Sequence, residues 1–158
     1  MFKSPVQLPE PARATVAATL NARLVDALDL YSHLKLAHWN VKGPHFATLH
    51  PLFESLADEL NGAADTIAER AVTLGALAVG TAQQVATCSM LPEYPAATTR
   101  GLEHVRLLAD RYDVLLEGLR TSRSVADEMD DADTSDLLTA AISGFEKNAW
   151  FLRATLEG

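Results

Sequence analysis

Helical periodicity constrains this sequence more than any other feature. Apolar side chains recur at spacings of three and four residues from about Pro11 to Asn40, which is the pattern of an amphipathic helix. The turn sequence Val41-Lys42-Gly43-Pro44 predicts where this helix ends. Prolines near the N-terminus disfavour helix, so residues 1–10 are expected to form a flexible arm.

Two further long helices and one short helix are predicted after this turn. The second long helix runs over about residues 48–74 and stops at Gly75, and the third covers about 98–121. Residues 76–97 connect them and contain glycine and two prolines. A short extra helix is expected at 82–87 within this connection.

An acidic stretch, residues 127–133, separates the third helix from a fourth. Asp133 is expected to be the N-cap of this fourth helix, with Asp136 in its first turn, and the helix is expected to run to about Leu156. No segment shows the alternation of a strand, so the fold class is predicted to be all-α. Four long helices with one long crossover in the middle predict a ferritin-like four-helix bundle.

Composition limits the number of domains and the class of partner. A chain of 158 residues, 48% of them hydrophobic, favours one domain, here residues 11–158. The formal net charge of -8 makes the chain as a whole a poor ligand for polyanions. Its single cysteine, Cys88, fits a reducing compartment. Because the sequence shows no signal-peptide core and no long apolar run, a cytoplasmic location without a membrane partner is expected.

Four side chains with metal-binding groups share one side of the second helix. On a helical wheel with His50 at zero, Glu54 falls at about 40°, Asp65 at about 60° and Glu69 at about 100°. Large apolar residues occupy the opposite side and are expected to pack into the bundle. The acidic side also carries small residues that would let a second helix approach, namely Ala57, Asn61, Ala64 and Ala68.

The spacing along this helix indicates a site shared by two chains. Glu54 and Asp65 are separated by roughly 16 Å along the axis, so one metal ion cannot reach both. The pairs 50/69 and 54/65 have the same midpoint, between residues 59 and 60. A two-fold axis there would place His50 beside Glu69 of the partner subunit and Glu54 beside Asp65 of the partner subunit.

His38, at the end of the first helix, is the expected fifth ligand. Two imidazoles and three carboxylates suit Fe(II), and zinc accepts the same donors. The sequence lacks the Glu-x-x-His pattern of ferritins, which disfavours an ordinary di-iron site within one chain.

Several stretches together resemble the Dps family of mini-ferritins, named for DNA protection during starvation. They are residues 38–44 (HWNVKGP), 49–54 (LHPLFE) and 65–75 (DTIAERAVTLG), and the similarity continues through 91–95 (LPEYP) and 133–150. The resemblance implies a hollow dodecameric shell with ferroxidase centres at its two-fold interfaces. Fe(II) would be oxidised there, typically by hydrogen peroxide, and stored as ferric oxyhydroxide, which protects DNA from oxidative damage.

Carried over by position, the resemblance assigns the ferroxidase ligands to His38, His50, Glu54, Asp65 and Glu69. The family usually has Asp where this chain has Glu54, so the longer side chain changes the reach of that carboxylate.

The resemblance also implies roles outside the ligand set. Asp133, Asp136 and Asp130 resemble residues that line an iron-entry pore, although acidic runs are usually solvated loops. Trp39 is a candidate radical trap beside His38, and the ordinary alternative for it, as for Trp150, is a place in the core. Ordinary structural roles are expected for the remaining histidines, which look exposed: His33, His45 and His104.

Direct DNA binding is expected to be weak or absent. The first fifteen residues offer only Lys3 and Arg13 for phosphate contacts, offset by Glu10. The alternatives to an iron-oxidising storage protein are a nucleoid-compacting DNA-binding protein and a purely structural bundle whose acidic face is incidental.

Overall fold

The structure is a computed structural model that describes residues 1–157. It contains five helices and, within these residues, no strand. The helices are α1 (Glu10–Asn40), α2 (Phe46–Thr73), α3 (Ala82–Cys88), α4 (Gly101–Glu128) and α5 (Ala132–Leu156). The predicted all-α class, with four long helices and one short helix in the second connection, is therefore confirmed.

The lengths of the connections set the directions of the helices. Short turns at 41–45 and 129–131 join α1 to α2 and α4 to α5, so each pair packs as antiparallel neighbours. The longer segment 74–100 returns the chain to the end of the bundle where α2 begins, and α3 packs against α1 on the way. Because α1 also packs on α4, two helical hairpins close into a ferritin-like bundle.

One hydrophobic core lies between the four long helices. The predicted apolar side of α2 contributes Leu56, Leu60 and Ile67 to this core. The expectation that Trp150 belongs to it is wrong, because this residue of α5 is 62% exposed. Within residues 1–157 no helix combines the length and the apolar character that crossing a membrane requires.

Helix α4 extends to Glu128, beyond its predicted end near residue 121. The first two carboxylates of the acidic stretch, Asp127 and Glu128, are exposed on its last turn, so their charges stay in water and do not interrupt the helix. The chain reverses at Asp130, whose φ of 57° lies in the left-handed region that aspartate tolerates better than most residues.

Helix α5 is capped by Asp131, and the prediction of Asp133 as the N-cap is wrong. Asp131 Oδ1 accepts hydrogen bonds from the Thr134 backbone N–H at 3.1 Å and from Arg70 Nη2 at 2.6 Å. The Thr134 hydroxyl donates to Asp131 Oδ2 at 2.6 Å and accepts from Arg70 Nε at 2.8 Å. This closed network joins the end of α2 to the start of α5, whereas Asp133 is exposed.

The N-terminal arm lies against the end of α2. The Phe2 N–H donates to the Gly75 carbonyl at 2.7 Å, and the Ser4 hydroxyl donates to the Thr73 carbonyl at 2.6 Å. The Thr73 carbonyl belongs to the last turn of α2, where carbonyl groups lack partners within the helix, and Gly75 follows just beyond that end. The arm is not helical before Glu10, as predicted, and its flexibility stays a prediction.

Two histidines that were expected near the surface are buried beneath the crossover. His104 Nδ1 shares a 2.7 Å hydrogen bond with the Tyr94 hydroxyl, and the His33 ring packs against the Tyr94 ring. Burial lowers the pKa of both histidines. Arg111 donates to two carbonyls of the crossover and lies over the Tyr94 ring, so this buried cluster holds the crossover to α1 and α4.

Candidate metal centre

The first group of predicted ligands meets where α1 ends and α2 begins. Gly43, with a φ of 100°, provides the turn between the helices. The turn brings His38, in the last turn of α1, against His50, near the start of α2. Their rings are stacked, with centroids 3.8 Å apart.

Reciprocal hydrogen bonds fix both imidazoles. His38 Nδ1 lies 2.8 Å from the His50 carbonyl oxygen, and His50 Nδ1 lies 2.8 Å from the His38 carbonyl oxygen. A carbonyl oxygen can only accept, so each Nδ1 carries the proton and donates it. In the neutral ring the other nitrogen, Nε2, keeps a free lone pair, which is the form of histidine that binds a metal ion.

Glu54 adds a carboxylate to this histidine pair. Its Oε2 lies 3.3 Å from His38 Nε2 and accepts a hydrogen bond from Lys35 of α1. That hydrogen bond is the main cause of a lowered pKa at Glu54, so the side chain is ionised near neutral pH. In the neutral form of His38, Nε2 and the carboxylate oxygen are both acceptors, and such an arrangement favours a cation at this position.

Lys35 is a residue of this site that sequence reasoning missed. Its ammonium group supplies positive charge beside Glu54, and the hydrogen bond to Glu54 raises the pKa of Lys35. The sequence carried a signal for it, because Lys35 precedes His38 by three residues and therefore shares its face of α1. The Glu54 side chain is one methylene longer than that of aspartate, and its carboxylate lies beside both Lys35 and His38.

Asp65 and Glu69 form a second group that the structure does not bring to the first. Both side chains are exposed on α2, and roughly 16 Å of helix axis separates Asp65 from Glu54. Across the described residues, 1–157, no group of three or more His, Cys, Asp or Glu side chains is arranged to hold a metal ion. The five predicted ligands are thus divided into a histidine-containing half and an acidic half.

A cleft of about 440 Å³ lies beside Asp65, between α2, α1 and residues 78–80. Asn61 and Ala68 line this cleft with Asp65, so the predicted shared side of these residues is confirmed, and the approach of a second helix stays a prediction. Ala57, by contrast, is buried in the core of its own chain, and Ala64 contributes to both the core and the cleft. The small side chains therefore serve packing within the chain as well as the acidic surface.

Trp39 is not a core residue, because it is 68% exposed beside the histidine pair. The Lys35 ammonium group lies 5.9 Å from the centroid of its ring. The interpretation of Trp39 as a core residue is therefore wrong, and its role as a radical trap stays a prediction.

The proposed pore residues lie at the opposite end of the bundle from the histidine pair. Asp130, Asp133 and Asp136 are all exposed, at the turn before α5 and on its first turns. Asp131, in the same stretch, is instead committed to the cap of α5. The three exposed carboxylates are free to face a pore, which stays a prediction.

Comparisons with known proteins agree with this architecture. A family model described as a ferritin-like domain matches residues 17–158. The DNA protection during starvation protein of Agrobacterium fabrum is 37% identical over 155 residues, which cover 98% of this chain and 96% of that protein.

Solved structures agree as well. A Dps protein from Bacillus brevis, 36% identical, superposes with a TM-score of 0.88 over 92% of this chain and 97% of that one. A Dps protein from Vibrio cholerae O1, described as a member of a broad superfamily of ferritin-like diiron-carboxylate proteins, is 28% identical. It gives a TM-score of 0.93 over 99% of this chain and 98% of that one.

Proposed function

The chain belongs to the Dps family of ferritin-like proteins, and on that premise we propose that it oxidises Fe(II) at centres shared between two subunits. Membership of this family supports iron storage and DNA protection as its general role. The diiron-carboxylate description of the Vibrio cholerae relative supports iron, rather than zinc, as the metal that is handled.

The observation that carries the proposal is the division of the ligands into two incomplete halves. His38 and His50 hold their Nδ1 atoms on backbone carbonyls, and His38 Nε2 lies 3.3 Å from Glu54 Oε2. Asp65 and Glu69 are exposed and too far along the same helix to complete this set. A two-fold axis near the middle of α2 brings the histidine-containing half of one chain to the acidic half of its partner. Because an isologous interface contains each contact twice, two complete centres form per dimer.

Each part of the shared centre has a chemical task. Neutral imidazoles bind Fe(II) without adding charge, and the carboxylates of both subunits offset the higher charge of Fe(III). Two Fe(II) ions each give up one electron, and one hydrogen peroxide accepts both electrons with two protons and leaves as two water molecules. Because both electrons are transferred together, no hydroxyl radical is released. The Fe(III) then reacts with water to form ferric oxyhydroxide and releases protons.

Storage requires an enclosed space, so we place these centres in a hollow dodecameric shell built from two-fold dimers. Large exposed aromatic side chains support association, since Trp39 and Trp150 are more than half exposed in the single chain. Asp130, Asp133 and Asp136 would line an entry pore, where clustered negative charge raises the local concentration of Fe(II).

DNA protection is proposed to follow from the removal of Fe(II) and peroxide in the cytoplasm, since the arm is poorly suited to DNA. Of the two cations in the first fifteen residues, Arg13 lies in α1 and donates hydrogen bonds to the carbonyls of Leu8 and Leu74. Only Lys3 is then left for phosphate contacts, so DNA binding through the arm is expected to be weak.

The test is an anaerobic titration with Fe(II), followed by addition of hydrogen peroxide, for wild type and Glu69→Gln. Glu117→Gln, which neutralises an exposed carboxylate on α4, is the matched control. Glu69→Gln is expected to slow oxidation by about tenfold or more in a shell of normal size, while Glu117→Gln behaves as wild type. Wild-type oxidation by an intact Glu69→Gln shell would contradict the proposal.

A further inference from the structure

A cavity of about 570 Å³ lies at the end of the bundle where the α1–α2 turn meets the start of α4. Several basic side chains contribute to its lining, from the turn, from the N-cap of α4 and from the first turns of α4. They are Lys42, His45, Arg100 and Arg106, and within residues 1–157 Glu103 is the one acidic residue of the lining. The cavity is separate from the faces that carry Asp65 and the acidic stretch.

The three permanent cations of this cavity are free. Within residues 1–157 neither Lys42, Arg100 nor Arg106 forms an ion pair. Most other arginines of the chain are engaged, four of them by carboxylates: Arg23, Arg70, Arg120 and Arg153. In a chain of net charge -8, this cavity therefore concentrates positive charge, and within residues 1–157 only Glu103 adds negative charge to its lining.

The backbone beneath these side chains is held in place. The Lys42 N–H donates to the Thr99 carbonyl at 2.8 Å, and Lys42 and Arg100 form an isolated parallel bridge between the turn and the crossover. Gly101 packs so closely on Leu49 that a Cβ would lie 2.7 Å from a methyl group. Lys42 and Arg100, far apart in sequence, are thus fixed side by side, which lowers the entropic cost of binding a shared ligand.

We infer that this cavity binds a phosphate group. Two guanidinium groups can each present paired N–H donors to phosphate oxygens, and the lysine adds a compact charge. The start of α4 contributes a favourable dipole, and its N-cap, Arg100, makes no side-chain capping bond that a ligand would have to displace. The cavity is larger than one phosphate ion, so the group can be free phosphate or the backbone phosphate of a nucleic acid.

The first experiment titrates inorganic phosphate into the assembled protein at low ionic strength and follows the heat of binding. Arg100→Ala and Arg106→Ala are each expected to weaken binding by about tenfold, because each removes a charge-assisted hydrogen bond. Arg123→Ala removes the same charge from the same helix, roughly 25 Å away from Arg106, and should bind as wild type. Absence of phosphate binding, or equal affinity in Arg100→Ala and wild type, would overturn the inference.

A second experiment distinguishes free phosphate from nucleic acid as the source of the phosphate group. A short DNA duplex is mixed with the assembled protein and its retardation in a gel is measured with and without inorganic phosphate. Retardation that phosphate suppresses, and that Arg100→Ala weakens, identifies nucleic acid as a ligand of the cavity, strengthened by repetition of the site over the subunits. Phosphate binding without retardation supports free phosphate as the ligand. Retardation unaffected by phosphate and by both cavity variants counts against the cavity.

Discussion

Replacing Asp131 with alanine is expected to destabilise the protein severely. The Asp131 side chain is 2% exposed and the Arg70 side chain 13% exposed, so the substitution leaves a largely buried cation without its partner. It also removes the N-cap of α5 and the hydrogen bond to the Thr134 hydroxyl. Breaking a buried pair by removing one partner costs about 3–5 kcal/mol, and the partial exposure of Arg70 places this case near about 3 kcal/mol.

For a chain of this length, about 3 kcal/mol corresponds to a decrease in Tm of about 6–12 °C. Thermal unfolding is followed by circular dichroism at one protein concentration, because association contributes to apparent stability. Asp131→Asn keeps a capping oxygen but loses the charge, so its decrease should be intermediate.

Asp133→Ala is the matched control for this prediction. It removes an exposed carboxylate from the first turn of the same helix and should cost about 0.5 kcal/mol through the helix dipole. If Asp131→Ala and Asp133→Ala lowered the Tm equally, the assignment of the cap and the buried pair would be refuted.

Three other substitutions test separate parts of the structure. The unfolded chain protonates His104 as the pH falls below about 6.5, whereas the folded protein resists this because burial lowers the pKa of His104. Stability is therefore lost below that pH. Between about pH 7.5 and 5.5, the urea midpoint of unfolding should decrease less for His104→Gln than for wild type; equal decreases in the two proteins would contradict this.

Lys35→Met should tighten anaerobic Fe(II) binding by about two- to fivefold, because the ammonium group no longer competes for Glu54; unchanged or weaker binding would argue otherwise. Gly75→Ala should lower stability by about 1–3 kcal/mol in urea unfolding, since φ is 95° and a Cβ would lie 2.6 Å from the Phe2 carbonyl oxygen; an unaltered midpoint would rule out this strain.

Features set by local sequence were predictable. The apolar periodicity gave four long helices, and the spacing on α2 separated the apolar face from the side that carries Glu54, Asp65 and Glu69. The first helix ends at Asn40, where the turn sequence Val41-Lys42-Gly43-Pro44 predicts its end, and this turn brings His38 back to His50. Helix α4 continues beyond its predicted end near residue 121, because the exposed carboxylates of Asp127 and Glu128 do not break a helix.

Features set by tertiary contacts were not predictable in the same way. His104 is buried between Tyr94 of the crossover and Phe53 of α2, and periodicity gives no information about the path of a crossover. Asp131 rather than Asp133 caps α5 because Arg70, on another helix, binds it. Lys42 and Arg100 become neighbours only when the crossover returns to the first turn.

Whether an iron centre needs two chains can be decided by mixing two inactive variants. His50→Ala removes a ligand from the histidine-containing half of the centre and Glu69→Ala removes one from the acidic half. The two chains are co-expressed with different tags and purified as mixed shells. In a mixed dimer one centre then carries both substitutions and the other carries neither. Random pairing predicts recovery of about one quarter of the wild-type rate of peroxide-driven Fe(II) oxidation. Mixed shells as inactive as either variant alone would show that each chain builds its centre by itself.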